Sequence, residues 1–168
     1  MKNNLKVLRN AITICILILN SGKIFATSAT FTVNATILPL CAIAVGGVQN
    51  LNFGNYDNTT DSTAQSTITL NCTPGSSYKV GLNAGATAGA TVTTRQMKGI
   101  NTPANLLSYR LYKDATMLNN WGNVTPDWQT GTAGLVPVVL TVYGKIPSGQ
   151  NSAVDTYQDT ITVTLTFP

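Results

Sequence analysis

The feature that most constrains this chain is a strict alternation of apolar and polar side chains near its beginning and at its end. In residues 31–37 the apolar members are Phe31, Val33, Ala35 and Ile37. In the last eight residues they are Ile161, Val163, Leu165 and Phe167. Because successive side chains of a β-strand point to opposite faces, a period of two predicts one apolar and one polar face. Both segments are therefore predicted to be one-sided strands.

The same alternation recurs through the middle of the chain, between turns rich in Gly, Pro, Asn and Asp. Thr and β-branched residues are frequent, whereas strong helix formers such as Glu and Lys are scarce. A hairpin is predicted most clearly over residues 67–83, and later strands are predicted over residues 91–98, 106–113, 135–146 and 157–167. This number and spacing of strands predict an all-β fold, a β-sandwich of Greek-key type.

Residues 1–26 have the composition of a signal peptide. Three basic residues precede an apolar run at residues 11–19, and Ala26 provides a small residue for cleavage. The apolar run is too short to span a bilayer comfortably, so we expect removal on export rather than retention as a membrane anchor. Removal would leave a single domain of about 142 residues, which is long enough to bury a core.

The basic balance of the full chain resides in this N-terminal segment. After residue 26 there are six basic residues and six acids, so the net charge is zero. We therefore do not expect nucleic acid or an anionic membrane as a partner. So few charged side chains suit a protein that becomes part of a larger assembly.

The cysteines predict one disulfide. Cys15 lies in the segment that is removed, which leaves Cys41 and Cys72 as an even pair in an exported chain. Closing a loop of about 30 residues would add on the order of 3–4 kcal/mol of stability in the chain-entropy model. A metal site at these cysteines would need further ligands, and neither His nor clustered acids are available.

No residue pattern predicts catalysis or a cofactor. His is absent, and all six acids are Asp residues that lie in or beside turns, where Asp is favoured for turn geometry. We find no Gly-rich phosphate loop and no set of metal ligands. The sequence therefore predicts a protein that is not an enzyme and that has no cofactor, metal or small-molecule substrate.

The two tryptophans, Trp121 and Trp128, lie in a segment without a clear period. They are possible surface contacts, because a pair of exposed indoles can form a platform for stacking a sugar. The alternative, which we favour, is that they close one end of the sandwich or contact a neighbouring subunit, since no acidic or amide cluster surrounds both.

Several motifs resemble the spore coat protein U domain family, whose members resemble subunits of archaic chaperone–usher pili. They are Phe-Thr-Val-Asn-Ala-Thr-Ile before Cys41, Leu-Asn-Phe-Gly-Asn-Tyr-Asp, Ile-Thr-Leu-Asn-Cys, Leu-Leu-Ser-Tyr-Arg-Leu-Tyr-Lys-Asp, Val-Tyr-Gly-Lys-Ile-Pro-Ser-Gly-Gln and Tyr-Gln-Asp-Thr-Ile-Thr-Val-Thr-Leu-Thr-Phe. The resemblance covers essentially all of the chain after residue 26.

The resemblance implies an immunoglobulin-like sandwich that lacks its last strand. Residues 27–38 would then be a donor-strand segment and residues 39–168 the pilin-like sandwich. Phe31, Val33, Ala35 and Ile37 would enter the groove of a neighbouring subunit, where Ile161, Val163, Leu165 and Phe167 would form the acceptor edge. A periplasmic chaperone would fill the groove first, because a free apolar edge aggregates, and an outer-membrane usher would assemble the subunits.

The resulting expectation is a structural pilus subunit, exported through the periplasm to the cell surface and supporting adhesion and biofilm formation. Two alternatives stay open. One is a protective coat protein of spores or dormant cells, and the other is a secreted sugar-binding adhesin that uses Trp121 and Trp128. The opening strand could also pair within its own sandwich, which alternation alone does not decide.

Overall fold

The computed structural model describes residues 25–168, so residues 1–24 of the predicted signal peptide lie outside the described range. The chain divides between Ala35 and Thr36 into a short N-terminal unit and a compact unit of residues 36–168. In the N-terminal unit, residues 25–35 form neither helix nor strand, and their side chains are exposed. Within the described range no helix is long and apolar enough to cross a membrane.

The compact unit contains nine β-strands. They are β1 (Cys41–Val48), β2 (Ser62–Cys72), β3 (Ser77–Leu82), β4 (Arg95–Gly99), β5 (Leu106–Tyr112), β6 (Gln129–Thr132), β7 (Val138–Ile146), β8 (Tyr157–Gln158) and β9 (Val163–Thr166). Six of them form one antiparallel sheet in the order β1-β2-β7-β5-β4-β8, and the other three form a second in the order β6-β3-β9. The all-β sandwich predicted from the sequence is confirmed.

The core lies between the two sheets and follows the predicted alternation. Ile68 and Leu70 of β2 and Leu140 and Val142 of β7 are buried from the larger sheet, and the smaller sheet contributes buried side chains from β3. The intervening Thr and Val side chains of β2 and β7 lie on the outer face. Because every second side chain is removed from water, the hydrophobic effect fixes which face of each strand is inward.

Two side chains outside the apolar pattern connect the sheets. Trp121 is completely buried, its main-chain N–H donates to the carbonyl of Leu111 in β5, and its Nε1 donates to the carbonyl of Val80 in β3 at 2.9 Å. Arg95 of β4 is also completely buried, and its guanidinium donates to four main-chain carbonyls, those of Leu82, Asn83, Val92 and Trp121.

The predicted disulfide is present and joins two strands of the larger sheet. Cys41 of β1 lies directly opposite Cys72 of β2 in the antiparallel register, and the two residues are bonded through their sulfur atoms. The bridge thus fixes the beginning of β1 to the end of β2, beside the point where the donor-strand segment predicted from the sequence enters the domain.

Two predictions about strand arrangement, the hairpin over residues 67–83 and the single strand over residues 157–167, are wrong. Residues 67–83 do not form a hairpin, because β2 belongs to the larger sheet and β3 to the smaller one. The turn between β2 and β3 is instead hydrogen-bonded to the residue that follows β6: Gly75 donates to the carbonyl of Ala133, and Ala133 donates to that of Ser76. Residues 157–167 likewise form two short strands, one in each sheet, rather than one continuous strand.

Candidate functional site: an open groove beside the last strand

Strand β9 has a partner on one side only. It pairs with β3 in antiparallel register, from Lys79 opposite Thr166 to Leu82 opposite Val163. In the sheet order β6-β3-β9 it is the edge strand, so its other side has no strand partner in the described part of the chain. An edge of this kind presents main-chain N–H and C=O groups to any strand that comes alongside.

A groove of about 430 Å³ lies next to this edge. One wall is formed by residues 48–53 and the other by residues 157–163, and side chains of both sheets, including Ile68, Leu82 and Val142, lie at its base. These base residues are buried, whereas Leu51, Phe53, Ile161 and Val163 along the walls are only half-buried. The apolar core is therefore accessible along one seam between the sheets.

The first wall is held against the larger sheet by contacts at both of its ends. The Ser66 hydroxyl donates to the carbonyl of Gln49, and the rings of Phe53 and Tyr109 meet edge to face with their centres 6.3 Å apart. A Cβ at Gly144 would lie 2.8–2.9 Å from the side chains of Phe53 and Leu51. The absence of a side chain at Gly144 therefore allows this wall to lie directly on β7.

The second wall contains the break between β8 and β9, which is organised by Asp159. Its carboxylate accepts hydrogen bonds from the main-chain N–H groups of Ala86 and Thr160 and, at 2.6 Å, from the hydroxyl of Tyr109. Burial, together with this hydrogen bond to Asp159, raises the pKa of Tyr109, so the hydroxyl keeps its proton, and remains a donor, to a higher pH than that of an exposed Tyr. The Tyr109–Asp159 hydrogen bond thus connects the base of the groove to its wall.

A second cavity of about 560 Å³ continues the seam beyond Tyr157. It shares Leu51, Asn52, Phe53, Met97 and Tyr157 with the first, and it adds the polar side chains of Asn55, Tyr56, Ser152, Asp155 and Thr156. The seam is accordingly apolar beside β9 and becomes more polar towards the loop that follows β7.

The predicted acceptor residues lie at this site to different degrees. Ile161 and Val163 line the groove, and Leu165 is half-buried against the core. Phe167 follows the end of β9 and is 36% exposed. The sequence did not indicate Tyr109, Met97 or Asp159 as groove residues. The apolar residues at alternate positions, Leu51 and Phe53, were the sequence feature that could have indicated the first wall.

The predicted donor residues are all exposed. Phe31 and Val33 of the N-terminal unit are 87% and 80% exposed, Ala35 is exposed beside them, and Ile37 of the compact unit is 83% exposed. Residues 36–40 contain no strand, and β1 begins at Cys41. An exposed apolar segment without secondary structure keeps its main-chain hydrogen-bonding groups free for pairing elsewhere.

The tryptophan pair does not form a surface platform. Trp121 is completely buried, so the prediction of a surface contact at this residue is wrong; its N–H group is used inside the fold. Trp128 is half-buried over Gly81, where a Cβ would lie 2.7 Å from its ring. Trp121 is therefore part of the core, and Trp128 is a partly covered indole near the surface.

Within residues 25–168 no group of three or more His, Cys, Asp or Glu side chains could hold a metal ion. Outside the groove, Asp57 and Asp114 each accept hydrogen bonds from residues that follow closely in the sequence. Asp61 instead pairs with Lys145, and Asp155 accepts hydrogen bonds from the main-chain N–H groups of Asn101 and Thr102. What the chain presents is an unpaired strand edge and an open apolar seam.

Comparison with known families matches residues 27–164 to the Spore Coat Protein U domain. The chain belongs to this family. One relative, Protein U of Myxococcus xanthus, is 35% identical over 161 residues, covering 84% of this chain and 88% of that protein. As a family member, the chain is thus similar to a protein of nearly the same extent.

The fold is similar to that of a solved pilus protein. A crystal structure of the CsuC–CsuE chaperone–tip adhesion subunit pre-assembly complex, from archaic chaperone–usher Csu pili of Acinetobacter baumannii, matches with a TM-score of 0.58 and 26% identity. The match covers 77% of this chain and 40% of the other, so the family member spans less than half of that longer protein. A chaperone–tip adhesin complex of CFA/I fimbriae aligns with a TM-score of 0.43 and 16% identity, over 73% of this chain and 42% of that chain.

Proposed function

We propose that the protein is a structural subunit of a chaperone–usher surface pilus that polymerises by donor-strand exchange. The observation that carries the proposal is the unpaired edge of β9 beside an open apolar groove. Residues 27–38 of one copy would add a strand to this edge in another copy, with main-chain hydrogen bonds to β9 and apolar side chains in the groove.

The chemistry of the two surfaces is complementary. The donor offers apolar side chains at every second position, namely Phe31, Val33, Ala35 and Ile37, and Thr or Asn at the positions between them. Along the groove, half-buried Ile161 and Val163 could become fully buried. Burying one Phe, Val or Ile side chain stabilises the joined state by about 1.5–3 kcal/mol. Burial of the whole donor set therefore offsets a large part of the free energy lost in ordering the segment.

The partners follow from this mechanism. Before assembly, a periplasmic chaperone would cover the groove, because the exposed edge would otherwise pair with any extended chain. The similar Csu structure contains such a chaperone–subunit pair, which supports this part of the proposal. An outer-membrane usher would then assemble identical or related subunits on the cell surface, where the fibre would serve in adhesion and biofilm formation.

A pair of synthetic peptides tests the proposal directly. Oxidised residues 39–168 are refolded with a peptide of residues 27–38, and the urea midpoint is compared with that obtained without peptide. We expect the peptide to raise the midpoint, a Thr32→Asp peptide to do the same, and a Val33→Asp peptide to fail. The two variants carry the same charge one residue apart, so only the inward position should matter.

The opposite result would identify a self-contained sandwich. If the shortened chain is as stable alone as with the peptide, or if both Asp peptides behave alike, the segment does not fill the groove. A protective coat is then the second candidate, since the family description names a spore coat. Immunodetection on dormant cells, with no fibres on growing cells, would favour that role.

A further inference from the structure

The two ends of the sandwich can be named from the strand register. Leu70 of β2 pairs with Val138 at the start of β7, so the start of β7 lies at the same end as the Cys41–Cys72 bridge; we call this the disulfide end. Ser62 pairs with Ile146, so residues 147–156 after β7 lie at the opposite end, which we call the loop end.

The disulfide end carries exposed apolar side chains. Leu40 precedes the bridge and is 62% exposed, and the carbonyl of Leu40 accepts a hydrogen bond from the N–H of Thr73 beside Cys72. Leu135 and Val136 lie between Ala133, which is bonded to the turn after Cys72, and the start of β7; they are 92% and 74% exposed. These three exposed apolar side chains thus belong to segments that are hydrogen-bonded at or near the turn after Cys72, at the disulfide end.

The length of the connecting segment limits how far away the next copy can be. In the proposed function, on which this inference rests, Ile37 lies in the groove of a second copy while Cys41 is fixed in its own sheet. Four residues span at most about 14 Å when fully extended, and Pro39 among them restricts the backbone further. The disulfide end of one copy must therefore lie against the surface of the other copy at the mouth of its groove.

The connecting segment enters the groove of the other copy at its loop end. Each copy donates its own N-terminal segment from its disulfide end. If the segment of its neighbour also entered its groove at the disulfide end, that one end would have to contact both neighbours, and a linear fibre could not continue. Entry at the loop end gives each copy one neighbour at each end. The loop end also carries exposed apolar side chains, of which Ala153 and the fully exposed Val154 line or flank the polar part of the seam.

We propose that consecutive copies dock directly, with Leu40, Leu135 and Val136 of one copy against Ala153 and Val154 of the copy that receives its donor strand. The contact is heterologous, so it repeats along the fibre without closing into a ring. It removes from water apolar side chains at both ends that the isolated chain leaves exposed. The fibre would accordingly be joined at each step by an inserted strand and by a contact between folded domains.

Photo-cross-linking in assembled fibres of the full chain tests this contact. Benzoylphenylalanine is placed at Leu135 or at Val136, with Gln65, an exposed residue on the middle of the outer face of β2, as the matched control position. We expect illumination to produce dimers that survive boiling in detergent from positions 135 and 136 but not from position 65. Mass spectrometry should place the cross-link in residues 147–156 of the other chain.

Each outcome decides between the two proposals. Fibres that form without cross-linking from either position, or with cross-links that map elsewhere, overturn the docking contact and leave donor-strand exchange standing. If the unsubstituted chain forms no fibres at all, the proposed function fails and the docking contact fails with it.

Discussion

The hydrogen bond from Tyr109 to Asp159 gives the sharpest test of how the groove is built. It joins β5, at the base of the groove, to the break between β8 and β9 in its wall. Substituting Tyr109→Phe removes the hydroxyl and keeps the ring, which packs edge to face against Phe53. The perturbation is therefore confined to one hydrogen bond.

The structure sets the size of the effect. Tyr109 is only 5% exposed, and its partner is a carboxylate, so the bond belongs to the class worth about 1.5–3 kcal/mol. Asp159 keeps its two main-chain donors, Ala86 and Thr160, which prevents complete loss of its partners. We therefore expect Tyr109→Phe to lower the free energy of unfolding by about 2 kcal/mol at neutral pH.

Urea unfolding of the oxidised protein measures this value, with Tyr143→Phe as the matched control. Tyr143 lies on the outer face of β7, and its hydroxyl makes no hydrogen bond to another described residue. We expect the control substitution to change stability by less than about 0.5 kcal/mol, as surface substitutions usually do. Equal effects of the two substitutions would refute the proposed role of the Tyr109–Asp159 bond.

The pH dependence provides a second, independent readout. Because the pKa of Tyr109 is raised in the folded state, the folded protein keeps the phenolic proton where the unfolded chain has lost it. The stabilisation is therefore complete below about pH 10 and decreases as the pH rises above it, by up to about 1.4 kcal/mol per pH unit. The difference between wild type and Tyr109→Phe should shrink above pH 10, and a constant difference would contradict this account.

Three further predictions concern stability. Replacing Cys41 and Cys72 by Ala should cost on the order of 3–4 kcal/mol in urea unfolding, and an unchanged midpoint would show that the bridge does not constrain the unfolded chain. Arg95→Met should cost at least about 3 kcal/mol or abolish soluble expression, because four carbonyls lose their donor, and Arg95→Lys should restore only part of the loss. Trp121→Phe should destabilise by about 1–3 kcal/mol through its lost N–H donor, and a cost no larger than that of Trp128→Phe would contradict its position in the core.

Much of the fold was predictable because the hydrophobic pattern acts locally. The alternation in β2, β3 and β7 predicted which side chains are buried, since a strand can bury only every second residue. The even pair of cysteines in an exported chain predicted the disulfide before any register was known. The family resemblance rested on short motifs distributed between residues 31 and 167, and the family match confirms it.

The pattern did not predict which strands are neighbours. Residues 67–83 look like a hairpin in sequence because two alternating runs flank a Pro-Gly turn. Alternation specifies an inward face but not a sheet, and both strands meet the same core from opposite sides of the sandwich. Whether the two strands pair as a hairpin or lie in different sheets depends on the hydrogen bonds between their connecting turn and Ala133, nearly sixty positions away in the chain.

The positions of Arg95, between the sheets, and of Asp159, in the wall of the groove, were decided by tertiary structure for the same reason. No sequence pattern indicates that the charged Arg95 is buried, and Asp159 lies inside the single strand predicted over residues 157–167. Arg95 is buried because carbonyls from separate segments converge on its guanidinium, and Asp159 interrupts the last strand because donors from distant segments meet at its carboxylate. The sequence alone determined the one-sided strands, whose period is a local property, whereas only the tertiary structure brought together the distant donors and acceptors that leave the seam beside β9 open.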